Sequence, residues 1–205
     1  MKILDVTFSE PEANLKFEET LLDSEEQEVL RFWESETYFV VLGYGNKQIS
    51  EVHTDAGVPV LRRVSGGGTV LQGPGCLNYC LILDMEKRPE LSKVDTSNRF
   101  IMERNRSALL PLLPEVQIQG ITDLAIGNLK FSGNAQRRKR RFILFHGTFL
   151  YNFDISMIEK ILKPPEKQPE YRQKRSHVDF LTNIELSPQV IKKRLKDAWN
   201  SASVI

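Results

Sequence analysis

Apolar residues recur along this chain with two different periods, and the alternation between them sets the expected fold. From Ser9 to Trp33, "SEPEANLKFEETLLDSEEQEVLRFW" carries Leu15, Leu21, Leu22, Val29 and Leu30 at helical intervals, with Ser9 as a cap and Pro11 near the first turn. One or two helices are predicted there. β-branched and aromatic residues then take over in "TYFVVLG", Thr37 to Gly43, a strand closed by the turn "GYGN". Strand-like pieces follow around Val60, Leu61 and Val64, at Thr69, Val70 and Leu71, and in "YCLILD", Tyr79 to Asp84. A longer helix is expected over Thr96 to Leu113, with Phe100, Ile101, Leu109 and Leu112 facing a core and Pro111 and Pro114 bending or ending it. Strands recur at "VQIQ", at "TDLAI" and from Phe142 to Phe153, and helices return at Asp154 to Leu162 and Pro188 to Trp199. The proline-rich, charged "KPPEKQPEYRQKRSH" between those helices has the composition of a long surface loop. With no internal repeat, the pattern predicts an α/β (α+β) fold, a mixed β-sheet flanked by helices, and 205 residues fit one domain, 1–205.

Charge and cysteine content narrow the classes. The chain has 28 basic and 27 acidic residues, a formal charge of +1 that does not call for nucleic acid. Its N-terminus turns acidic and helix-like too soon for a signal peptide, and no apolar run reaches the roughly 18 to 20 residues of a membrane span. A cytoplasmic location with no membrane partner is expected. Cys76 and Cys80 suit a reducing compartment, and with three histidines they offer no zinc-type spacing. Cys80 lies in the apolar alternation of "NYCLIL" and reads as a small buried residue, while Cys76 follows a Gly-Pro-Gly turn.

Two stretches carry candidate chemistry. In "RRVSGGGTV", Gly66, Gly67 and Gly68 are pinned at both ends by strand-like pieces, so they read as a positioned loop whose backbone N–H groups can face an anion, with Arg62 and Arg63 supplying charge. The spacing is neither that of a P-loop nor that of a dinucleotide-binding turn. In "GITDLAIGNLKFSGNAQRRKRRFILFHGTFLYNFD", Lys130 sits between Gly127–Asn128 and "FSGNA", where Gly133 and Ala135 leave space beside the backbone. An ammonium fixed there can bridge a carboxylate and a phosphate, anions that repel until a cation joins them. Asp123 is a candidate magnesium ligand, or else a turn cap. The run "RRKRR", Arg137 to Arg141, reads as a solvated hairpin loop, a patch for an anionic partner or a nucleic-acid patch, the last set against the nearly neutral net charge. His146 is expected as a structural or site-wall residue, since the sequence places no serine or cysteine nucleophile beside it.

Taken together, "RRVSGGGTV", "GCLNYCLI", "GNLKFSGNAQRR" and "FHGTFLYNFD" resemble the lipoate-protein ligase family, within the group that also holds biotin-protein ligases and octanoyltransferases. The resemblance spans about Phe39 to Asp154 and continues through "YRQKRSHVDFLTNI". It implies a biotin/lipoyl ligase-like catalytic domain that activates lipoate with ATP and Mg²⁺, as lipoyl-AMP, and passes the acyl group to a lysine of a lipoyl carrier domain. It also implies roles for single residues. Lys130 is the catalytic residue touching both the lipoate carboxylate and the α-phosphate. Arg63, Gly68, Thr69, Val70 and Leu71 contact the nucleotide; Ser65, Gly66, Gly67, Gly133, Arg137, His146 and Gly147 belong to the lipoate site; Asp123 is the metal position, although Thr122 stands where the family often has asparagine. Many family members carry a C-terminal accessory domain, and none is expected in these 205 residues, so a separate accessory subunit or a specialised carrier is anticipated, with "RRKRR" bordering the docking surface. Two other readings stay open. One is octanoyl transfer from a carrier protein through a cysteine thiolate, for which "QGITDLAIGN" and "RRFILF" provide no cysteine. The other is a non-catalytic lipoate-binding module.

Overall fold

The computed structural model describes residues 1–24 and 26–200. Its centre is β6 (Cys76–Asp84), whose nine residues are all buried. Alternate side chains of β6 leave on opposite faces, so Leu77, Tyr79, Leu81 and Leu83 enter one core and Cys80 and Ile82 another. On one edge β6 pairs antiparallel with β2 (Val29–Trp33), which pairs in parallel with β1 (Lys2–Asp5). On the other it pairs with β11 (Phe142–Leu150), which pairs with β10 (Asn134–Lys139), giving a five-stranded mixed sheet in the order β1-β2-β6-β11-β10.

Two helices cover one face of this sheet. Ile101, Met102 and Leu109 of α3 (Val94–Leu109) and Ile191, Leu195 and Trp199 of α6 (Pro188–Asn200) pack with Leu30, Phe32 and Phe145 into the largest core. The opposite face takes α1 (Pro11–Ser24), which is fastened by the fully buried Arg31. Its guanidinium donates to Asn14 O at 2.9 Å, Asn14 Oδ1 at 2.7 Å and Val6 O at 2.9 Å, and lies over the Phe17 ring at 4.9 Å. Burial on this scale lowers the pKa of Arg31, and these acceptors replace the water it loses.

Two small sheets complete the fold. One has the order β4-β3-β5, from β3 (Phe39–Leu42), β4 (Val60–Arg62) and β5 (Val70–Gln72); the short α2 (Gln48–Glu51) lies between β3 and β4 in the chain. The other has the order β7-β8-β9, from β7 (Val116–Gln119), β8 (Asp123–Ile126) and β9 (Leu129–Ser132). Near the C-terminus α4 (Ile155–Ile161) packs on α5 (His177–Phe180).

Three expectations need correction or limits. Val29 to Trp33 is a strand, not the end of a helix: all five residues are buried, a pattern that strand and buried helix share over so short a run. The basic run is no free hairpin loop, since Arg137, Arg138 and Lys139 lie in edge strand β10 and the turn comes at Arg140, with φ 48°. Its cations are also engaged: Arg138 donates to Leu91 O at 2.6 Å, Lys139 pairs with Asp23 at 2.6 Å, and Arg141 pairs with Asp84. Glu25, inside the first expected helical stretch, and residues 201–205 of the single-domain reading lie outside the described residues.

Candidate active site

A cavity of about 640 Å³ opens where the three sheets meet, a volume in the range of small-molecule sites. Part of its wall is apolar, from Leu15, Trp33, Val41, Leu71 and Phe131, and two polar groups of residues face into the same space.

The first group is the glycine loop between β4 and β5. Gly67 has φ +86°, which L side chains rarely adopt, and its carbonyl oxygen would lie 2.1 Å from a Cβ on Gly43, so those two glycines are demanded by the fold. At Gly66 and Gly68 a Cβ would meet nothing within 4 Å. Packing within the protein therefore does not explain those two, and they leave bare backbone facing outward. Arg63, buried, braces this loop from beneath: its guanidinium donates to Gly66 O at 2.6 Å, Gly68 O at 2.7 Å and Ser65 Oγ at 2.9 Å. Burial holds its pKa down to about 10, against the opposing pull of Glu18, so it stays cationic at neutral pH. Arg62 instead turns to the backbone carbonyls of Gly43, Tyr44 and Asn46, while Thr69 accepts a hydrogen bond from Asn46 at 3.1 Å.

The second group is built on β8 and β9. Lys130 pairs in register with Ala125, which sets its ammonium diagonally against Asp123 on the same face, at 2.8 Å from Oδ1. Tyr171, from the proline-rich segment, donates to the other oxygen of Asp123 at 2.8 Å. Burial, and then the Asp123 charge, push the Tyr171 phenol well above its usual range, which keeps it a donor. The backbone of Lys130 is held as well, since Thr182 N donates to its carbonyl at 2.9 Å. Both oxygens of Asp123 are thus occupied. No cluster of three metal-ligating side chains occurs among the described residues, so Asp123 offers a single carboxylate to a cation arriving with another ligand, not a preformed cage.

The two groups are joined through β11. Gly147 lies between Asn134 and Tyr79 in the strand register, and a Cβ there would sit 1.7 Å from Asn134 Oδ1. Without it, the Asn134 side chain crosses the strand to accept from Tyr79 Oη at 2.6 Å, while its amide donates to Thr122 O at 2.6 Å. His146, next in the chain, faces Ser65 Oγ at 2.6 Å through Nε2 and Glu18 Oε2 at 2.5 Å through Nδ1. The serine missing from the sequence reading is therefore present, but Ser65 is fully buried beneath the loop.

The structure thus gathers Arg63, Gly67, Gly68, Thr69, Val70 and Leu71 around the cavity, with Asp123, Lys130, Gly133, His146 and Gly147 opposite. Gly66 lies in the same loop, exposed. Arg137 stands apart, exposed on β10 with its guanidinium over the Tyr44 ring at 5.8 Å. Glu18, Tyr171 and Asn134 were not singled out by sequence; the one signal was that the family resemblance continues into "YRQKRSHVDFLTNI".

Residues 10–199 match the lipoyl protein ligase A/B catalytic domain. The chain belongs to that family. Among its relatives, lipoate-protein ligase LplJ of Bacillus subtilis is 29% identical over 185 residues, covering 86% of this chain and 53% of that protein. The chain spans about half the length of this and other curated relatives it matches. A crystal structure of lipoate-protein ligase A bound with ATP superposes with a TM-score of 0.80 at 21% identity, over 97% of this chain and 83% of that one. A bi-partite lipoate protein ligase from Thermoplasma acidophilum, studied with its lipoyl domain, gives 0.78 at 22% identity, over 97% and 81%. Both likenesses show the family's fold.

Proposed function

We propose that this chain is the adenylating domain of a lipoate-protein ligase: it joins lipoate to ATP with release of pyrophosphate, then passes the lipoyl group from AMP to a lysine of a lipoyl carrier domain. The observation that carries this reading is one cavity bounded by a braced glycine loop, an apolar wall and the Lys130–Asp123 pair. The ATP and lipoyl-domain associations of the related ligases support it.

In the first step a lipoate carboxylate oxygen attacks the α-phosphorus and the bond to pyrophosphate breaks. Both partners are anionic, and the ammonium of Lys130 offsets their repulsion as they close. Asp123 and Tyr171 keep that ammonium at the cavity wall until the substrates replace their charge. Gly66, Gly67 and Gly68 let phosphate approach backbone N–H groups, with Arg63 acting from below through the loop carbonyls. Thr69, Val70 and Leu71 border the nucleotide, and Gly133, His146 and Gly147 shape the acyl side, with Ser65 supporting the loop from beneath; Arg137 is left to the rim. A magnesium ion would enter on the ATP phosphates, which with one or two carboxylates suffice for it, and Asp123 is the carboxylate at hand. In the second step the acceptor lysine amine adds to the acyl carbon, the bond to AMP breaks, and the amine loses a proton.

Thiol-based transfer is disfavoured. Cys76 is 1% exposed, with its thiol pushed up to about 12 by burial and then by Glu34, and Cys80 is fully buried with its thiol also pushed well up by burial. The two unpaired cysteines support a reducing, cytoplasmic setting. No helix among the described residues is long and apolar enough to cross a membrane. The bi-partite ligase of T. acidophilum supports a separately encoded partner subunit. Lipoate-dependent exchange of pyrophosphate into ATP is the test. Exchange upholds the reading; acyl transfer from a thioester without ATP would replace it with a transferase, and neither activity would leave a binding module.

A further inference from the structure

Glu18, on α1, reaches the glycine loop through two short hydrogen bonds, and the donors along that path can be counted. Arg63 Nε donates to Ser65 Oγ at 2.9 Å. Ser65 then has its own hydroxyl proton to give, and His146 Nε2 lies 2.6 Å away. With Nε2 accepting, the neutral ring carries its proton on Nδ1, directed at Glu18 Oε2 at 2.5 Å. The remaining Glu18 oxygen accepts from Trp33 Nε1 at 2.8 Å. Every donor and acceptor is used once. Both ends of the path are dry, with Glu18 3% and Ser65 0% exposed and His146 half-buried between them, so a misplaced proton would strand a buried polar atom at either end.

We infer that Glu18 is a positioning residue for the proposed adenylation: it fixes His146 as the Nδ1–H tautomer, and so makes the ring an acceptor for Ser65 that holds the loop from Ser65 to Gly68 in the form that receives ATP. Glutamine has the same shape but cannot accept from both His146 Nδ1–H and Trp33 Nε1–H. If its amide nitrogen faces Nδ1, the ring shifts to the Nε2–H form, and Ser65 Oγ receives two donors while its own proton is stranded. If the nitrogen faces Trp33, two N–H groups oppose each other. Either arrangement loosens the loop; Glu18 and His146 also border the cavity, so the tautomer is read separately from the kinetics.

The kinetic part of this inference rests on the proposed ATP chemistry; the tautomer part does not. ¹⁵N NMR of the imidazoles in the full chain reads the tautomer directly. There are three histidines, His53, His146 and His177, and His146→Gln assigns the relevant signals. Wild type is expected to show His146 protonated on Nδ1 alone. Glu18→Gln is expected to lose the pure Nδ1–H form, with Nε2–H appearing, and to raise the KM for ATP about tenfold with kcat little changed. Ser65→Ala should raise the KM for ATP similarly while keeping the Nδ1–H form, which separates tautomer control from general loss of packing and serves if Glu18→Gln does not fold. A wild-type His146 protonated on Nε2 or on both nitrogens would overturn the inference, and so would a Glu18→Gln protein with unchanged tautomer and KM. If wild type shows no exchange, the proposed function fails, and the tautomer comparison still decides the role of Glu18.

Discussion

Gly133→Ala isolates the position of the Lys130 ammonium from its presence. Gly133 lies between β9 and β10 without a positive φ, so alanine fits its backbone. The new Cβ would stand 2.8 Å from Lys130 Nζ and 2.9 Å from Cε. To regain ordinary contact the ammonium must withdraw by roughly 0.6 Å, a sideways shift that leaves it within reach of Asp123, 2.8 Å away before the change. What yields is the tip of a flexible side chain, and the pair it perturbs is partly open to water, of the kind contributing about 0–1 kcal/mol. The melting temperature should therefore shift by less than about 4 °C for a domain of this size. Catalysis is far more sensitive: displacing a reacting group by about 1 Å costs on the order of a hundredfold. The assay pairs calorimetry with lipoate-dependent pyrophosphate exchange at saturating ATP and lipoate. The displacement here is smaller, so the expected result is a loss of about tenfold or more in exchange with stability kept. Exchange within about twofold of wild type in a stably folded variant would refute a reaction that depends on this ammonium position.

Other outcomes follow from the same geometry. Gly43→Ala places a Cβ 2.1 Å from Gly67 O, backbone against backbone, so the glycine loop must shift; ATP affinity should fall about tenfold and stability by about 1–3 kcal/mol, and an unchanged ATP titration would contradict the loop's role. Cys76 and Cys80, buried with raised thiol pKa values, should resist alkylation in the native protein and react on unfolding; rapid native labelling would reopen a thiol mechanism. Hydrogen bonding from Arg141 holds the buried Asp84 carboxyl below its usual range, so this pairing stabilises the fold fully above the unfolded value, roughly 4, and is lost as pH falls through the lower folded value. Arg141→Gln should then be less stable than wild type at neutral pH, with the difference in urea unfolding closing in acid; a gap independent of pH would contradict that linkage.

The parts of the site that could be read from sequence are those in which one short segment carries both the chemistry and the room for it. The glycine run, Lys130 with Gly133, and His146 with Gly147 are of this kind, because missing side chains beside a charge or strand leave a local mark. The partners that tune these residues leave none. Glu18 meets His146 across 128 positions and Tyr171 meets Asp123 across 48, and nothing in an acidic helix or a charged proline-rich loop announces such meetings. Arg63 was legible as a cation near an anion-binding loop, but its use as an internal brace depends on carbonyls that point inward only once the loop is folded. At the level of fold, β2 was hidden because both its faces are buried, which removes the alternation that marks a strand. The strand at Arg137 to Lys139 was hidden for a different reason: charged residues suit a sheet edge, where they discourage pairing with other chains, and so they look like a loop.

The central claim is that this cavity joins a carboxylate to AMP under the ammonium of Lys130. Incubating the protein with ATP, magnesium and lipoate, without any acceptor, and analysing the quenched mixture by mass spectrometry tests it most directly. The expected result is lipoyl-adenylate bound to the wild-type chain, with formation slowed on the order of a thousandfold or more in a folded Lys130→Ala variant. Absence of the adenylate in wild type, or its undiminished formation by Lys130→Ala, would contradict the claim.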